Sequence, residues 1–213
     1  MIHAITIFLG AFLLFQVELI VGKYLLPWYG GTPAVWTTCL LFFQAVVLVG
    51  YGYAHGLTRC PRRRQVWIHV SLIVAAVVAL WVQGRGWGGP ILPGAGWKPS
   101  AGMSNPVTHI LRLLTVSVGL FCFVLSTGSP LLQRWRSFSR GASSYKLYAL
   151  SNLGSLLGLI SYPFVVEPAF SLKNQASIWS VLFLFFAPGS GLCALAFLRC
   201  PASTNLDRPP AAE

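Results

Sequence analysis

Glu18 is a carboxylate set inside an apolar run covering residues 5–26. A charge at that depth in hydrocarbon is costly, and it is kept where it is paired or where it handles an ion or a proton. Three roles stay open for it: partner in a structural ion pair, proton or cation site, or protonated side chain tolerated by its neighbours. Lys23 is the nearest cation in sequence. Five residues at about 100° each set it roughly 140° around the helix, so it is expected to reach outward to lipid headgroups. Arg112 lies at a similar depth in a later apolar run. Since either charge alone would be expensive, the expectation is that Glu18 pairs with Arg112.

The other reactive side chains form no catalytic pattern. Glu167 precedes Pro168 at the end of an apolar run, where a solvated helix terminus is expected because proline stops the helix. His55 follows Tyr51 and Tyr53 and reads as a hydrogen-bonded interface residue. His3, His69 and His109 fall near opposite membrane faces without metal-ligand spacing. The five cysteines are scattered, with no CxxC, so neither a disulfide framework nor a zinc site is expected. Nucleophile, base and metal candidates do not converge. The expectation is a non-enzymatic protein with no cofactor and no metal.

The elements that must position these groups are membrane helices. The chain is 55% hydrophobic and 9% charged, against roughly 25% charged in a soluble domain. About 20 apolar residues are needed per crossing. Spans are predicted near 5–26, 34–54, 66–83, 107–127, 145–166 and 178–198, an all-α polytopic bundle. The net charge of +11 could suggest nucleic acid, but the cations gather in short loops between apolar runs, so no nucleic-acid partner is expected. Arg59, Arg62, Arg63, Arg64, Arg134, Arg136, Arg140 and Lys146 fall on one side, with Arg199 and Arg208; Arg85, Lys98 and Lys173 fall on the other. The positive-inside rule then predicts both termini in the cytoplasm and anionic lipids as neighbours of the basic loops. No cleavable leader is expected, and residues 199–213 are expected to be a disordered tail.

Between the third and fourth spans, residues 84–106 are rich in Gly, Pro and Trp. Gly84, Gly86 and Gly89 spell GxGxxG, but an apolar span precedes them and Pro90 and Pro93 follow, which excludes the strand–turn–helix of a dinucleotide site. An outer loop anchored at the interface by Trp87 and Trp97 is expected.

Helices in lipid associate through small residues and interhelical hydrogen bonds. The fifth span supplies Ser151, Asn152, Gly154, Ser155 and Gly158, and the second repeats the theme with Gly52 and Gly56. Asn152 is expected to face inward, and Gln16 and Gln44 to hydrogen-bond across helix interfaces. A substrate path lined by the same residues is the alternative.

Two stretches resemble a family. One runs from Glu18-Leu19-Ile20-Val21-Gly22-Lys23 through Gly30-Gly31-Thr32-Pro33-Ala34-Val35-Trp36-Thr37-Thr38-Cys39 to Tyr53-Ala54-His55. The other includes Pro130-Leu131-Leu132-Gln133-Arg134-Trp135, Ser151-Asn152-Leu153-Gly154-Ser155, Tyr162-Pro163-Phe164 and Glu167-Pro168. Together they resemble the major-facilitator-like membrane half of bacterial fused proteins whose other half is similar to spermidine synthases. The resemblance implies a multi-pass domain of the bacterial inner membrane. No βαβ pattern follows the sixth span, so aminopropyl transfer is not expected of this chain. The leading expectation is a scaffold or anchor subunit bound to another membrane or soluble protein. The alternative is a half-transporter of the major-facilitator type, working as a dimer or with a partner half.

Overall fold

The computed structural model describes residues 1–87, 89–100, 105–137 and 144–199, and they contain no strand. Six helices are long and apolar enough to cross a membrane: helix 1 (Ile2–Tyr29), helix 2 (Pro33–Leu57), helix 3 (Arg62–Gly86), helix 4 (Pro106–Ser137), helix 5 (Tyr145–Ala169) and helix 6 (Leu172–Arg199). The expected disordered tail falls, apart from Arg199, outside the described residues.

Local chemistry sets several boundaries. Gly30 ends helix 1 with φ +76°, a left-handed conformation that costs glycine nothing, and its N–H closes on Leu26 O at 2.9 Å. Pro33 and Pro106 open helices 2 and 4, where a missing N–H removes no bond. Helix 4 runs well past the apolar stretch 107–127. At 32 residues it is about 48 Å long, longer than the roughly 30 Å hydrocarbon layer. A π-helical turn interrupts it at Thr115–Gly119. A second π turn, Tyr162–Val166, absorbs Pro163 in helix 5, where a regular α turn would clash with the ring. The helix therefore continues through Glu167 and Pro168 and stops at Phe170, whose backbone is extended.

The six helices form three layers. Helices 1 and 4 pack together in the middle; helix 4 is the most buried and helix 5 the least. Helices 3 and 6 pack on one another and on the middle layer. On the opposite side, helix 5 lies along helix 1 and helix 2 along helix 4, and helices 2 and 5 share no extended packing. Exchanging helices 1, 2, 3 for 4, 5, 6 maps the tightest packings onto each other: 1 on 5 becomes 4 on 2, while 1 on 4 and 3 on 6 map onto themselves. The relation is imperfect, since helix 6 leans more heavily on helix 1 than helix 3 does on helix 4.

Close approach is made possible by glycines. A Cβ at Gly154 would meet Phe8 O at 2.6 Å, and one at Gly158 would meet Phe12 O at 2.8 Å. Helices 1 and 5 thus run parallel, with backbones touching. Helix 2 is seated on helix 4 by Gly50, where a Cβ would collide with the Ser126 hydroxyl.

Within the 84–106 segment, the described residues around Ile91 fold inward. Ile91 and Leu92 are buried in the main core, Trp87 and Trp97 meet edge-on at 6.3 Å, and Tyr24 donates to Pro93 O at 2.6 Å. The expectation of interfacial tryptophans did not include this burial of Ile91 and Leu92, nor the contact with helix 4, where the Trp97 ring lies 6.3 Å from that of His109.

Candidate functional site

Glu18 lies on helix 1 where the gap between helices 2 and 5 leaves it uncovered. It is half-buried, and among the described residues no hydrogen bond or ion pair reaches its carboxylate. It lines two adjoining cavities. The larger, about 370 Å³, has Leu14, Phe15 and Glu18 as its floor, Leu40, Phe43, Gln44 and Val47 on the helix 2 wall, and Leu159 on the helix 5 wall. The smaller, about 230 Å³, runs one turn along helix 1 and is lined by Glu18, Leu19, Gly22, Trp36, Thr37, Cys39 and Leu40. Residues four apart share a helix face, so Glu18 and Gly22 look into the same crevice. A Cβ at Gly22 would come within 3.2 Å of the Trp36 ring, so glycine is what lets the indole lie against helix 1.

The Glu18–Arg112 pair expected from depth does not form. Arg112 is exposed on helix 4, with its guanidinium 5.8 Å from the Trp97 ring. Equal depth did not bring them together because the two side chains leave their helices in different directions. Lys23 is occupied as well: Nζ bonds Glu167 Oε1 at 2.7 Å. Glu167, expected to be a solvated terminus, is therefore an ion-pair partner across helices 1 and 5. Both candidate cations for Glu18 are engaged elsewhere.

Other expected interface residues divide into two groups. Gln16 is buried and its Nε2 donates to Gly158 O at 2.8 Å and Ser161 Oγ at 3.0 Å. Ser151 meets Ser129 of helix 4 at 2.9 Å, and Ser155 donates to Ser151 O. Gly154 and Gly158 face helix 1. By contrast, Asn152 and Gln44 are exposed and make no hydrogen bond among the described residues. Gly52 and Gly56 are also exposed, with open space where a Cβ would be. These four were expected at helix interfaces within the chain. They lie instead on the uncovered layer of helices 2 and 5, because a small-residue spacing identifies a stripe and not the neighbour it faces. His55 is exposed on the same helix, with Arg59 Nη2 2.9 Å from its Nε2.

A second polar cluster escaped the sequence reading. His69 is fully buried, 3.3 Å from Ser190 Oγ, and its ring lies against Tyr53 and Trp135. Trp135 donates to Gln65 Oε1 at 2.9 Å, and Gln65 Nε2 donates to Cys60 O at 2.7 Å. Gln65 and His69 are four residues apart on helix 3; that spacing was the available signal. This network ties helices 2, 3, 4 and 6 at the basic end.

Six helices long and apolar enough to span a bilayer place the chain among multi-pass membrane proteins. No protein-family model, curated protein or solved structure matches it.

Proposed function

We propose that this chain is one half of a two-unit membrane carrier, docking a second helical unit over helices 2 and 5 and enclosing Glu18 between them. The supporting observation is the layer arrangement. The one acidic side chain deep in an apolar run opens into the gap between helices 2 and 5, which share no extended packing, whereas helices 3 and 6 close on one another. The layer of helices 2 and 5 also carries Gln44 and Asn152, whose amides make no hydrogen bond among the described residues. Polar groups facing lipid alone are disfavoured, whereas across an interface they bond. The packing relation between helices 1–3 and 4–6 adds support, since carriers are commonly built from inverted repeats with binding at the midplane.

The setting proposed is the bacterial inner membrane, both termini cytoplasmic, with the basic loops against anionic headgroups. A scaffold or anchor subunit would use the same docking face; what distinguishes a carrier is a role for Glu18.

The test is a photo-crosslinking amino acid placed in cell membranes at Gln44 and Asn152, with Val78 and Leu192, exposed on helices 3 and 6, as controls. Defined products with a polytopic membrane chain, either a second copy or a separate half, are expected from Gln44 and Asn152 alone. Products from Val78 and Leu192 instead would overturn the docking face.

A further inference from the structure

We infer that the Glu18 crevice is a binding site for a small organic cation carrying one ammonium group on an apolar body. This rests on the carrier reading for its biological use, though the chemistry of the site stands by itself. A half-buried carboxylate with no partner among the described residues is an unmet demand for positive charge. Lys23 is held by Glu167, and Arg112 lies over Trp97. Neither of these cations supplies the charge.

The lining selects which cation. Calcium takes six to eight oxygen ligands and magnesium six. The crevice offers one carboxylate, the Gln44 amide oxygen and the Thr37 hydroxyl, whose own hydrogen is donated to Pro33 O at 2.8 Å. Among the described residues no three His, Cys, Asp or Glu side chains gather to hold a metal. A bare metal ion would be under-coordinated. An ammonium needs at most three acceptors, and the carboxylate and amide supply them. Trp36 adds an aromatic surface one turn from Glu18, where a cation is attracted by the ring face. Phe15, Phe43 and Leu159 enclose the rest with hydrocarbon. A cavity of about 370 Å³ falls within the usual range for small-molecule sites, roughly 300–1,000 Å³. A polyamine would bring several charges to a single carboxylate and is the poorer fit.

The experiment uses purified full-length protein in detergent and tritiated 2-(1-naphthyl)ethylamine, followed by scintillation proximity. Saturable binding is expected, unaffected by sodium or calcium at millimolar levels and not displaced by the uncharged 2-(1-naphthyl)ethanol. Glu18→Gln is expected to lower affinity about tenfold or more, by losing the charge-assisted hydrogen bond. Leu40→Trp, which fills both cavities and spares the carboxylate, is expected to abolish binding. Thermal unfolding confirms that each variant is folded, and either one in folded form suffices. Equal affinity in folded Glu18→Gln, competition by the alcohol, displacement by a metal ion, or no saturable binding by wild type overturns the assignment. If binding is absent while the Gln44 and Asn152 cross-links persist, this site falls and the two-unit reading stands. If binding depends on Glu18 in a protein that never cross-links, the site stands and the two-unit reading falls.

Discussion

Lys23 Nζ and Glu167 Oε1 are 2.7 Å apart, joining helix 1 to helix 5 at the end opposite the basic loops. The side chains are 34% and 42% exposed, so the attraction is screened and worth at most about 1 kcal/mol. Glu167→Gln and Lys23→Met should each lower the thermal midpoint in detergent by no more than a few degrees. The double variant should be no worse than the worse single. The reversed pair, Lys23→Glu with Glu167→Lys, should recover most of the loss. A drop of many degrees from either single change would show that the pair carries more than contact at a surface.

Because Lys23 is so engaged and Arg112 lies over Trp97, Glu18 and Arg112 should behave independently. Glu18→Gln is expected to leave stability unchanged or raise it slightly, because no partner is lost and an uncovered charge is removed. Combined with Arg112→Leu, the effects should add to within about 0.5 kcal/mol, as for groups that share no partner. A coupling clearly above that, read from chemical or thermal unfolding of the four proteins, would restore the ion pair that equal depth suggested.

The glycines of helices 2 and 5 should respond in opposite ways. Gly158→Val must push a side chain against Phe12 O on the facing backbone, and overpacking of this kind costs about 1–3 kcal/mol. Gly52→Ala meets open space and should change the stability of the isolated chain by no more than about 1 kcal/mol, in the stabilising direction that alanine favours in a helix. Comparable losses at both sites would contradict the layer arrangement.

Gln65 is the hinge of the buried polar cluster. Gln65→Leu strands the Trp135 N–H, and an unsatisfied buried donor costs about 1–3 kcal/mol. Adding Trp135→Phe removes the stranded donor, so the double variant should recover part of the loss relative to the Gln65→Leu and Trp135→Phe effects summed. Additive losses in thermal unfolding would mean that the bond contributes nothing.

Much of the fold could be read from residue types alone. Apolar runs of about 20 residues dictate helices, because a backbone in hydrocarbon must satisfy its own N–H and C=O groups. Pro33, Gly30 and Pro106 mark boundaries by local dihedral preference, which needs no neighbour. The stripe at Gly154 and Gly158 announced a contact for the same reason: only glycine lets two backbones meet. Depth and azimuth on a single helix were equally legible, and the angle of roughly 140° correctly separated Lys23 from Glu18.

What depth cannot supply is azimuth relative to other helices. Arg112 and Glu18 share a level yet face different surroundings. Gly52, Gly56, Gln44 and Asn152 have the composition of interface residues and lie on a face that no other described helix covers. His69 looks like a residue near a membrane surface until Tyr53, Ser190 and Trp135 close over it. The sequence by itself determined that the chain makes six apolar helices and that Glu18 is a costly residue in the first. Which helices meet, and therefore that Glu18 opens into a crevice while Lys23 takes Glu167, was decided only by tertiary packing, since helix rotation depends on how all six surfaces fit at once.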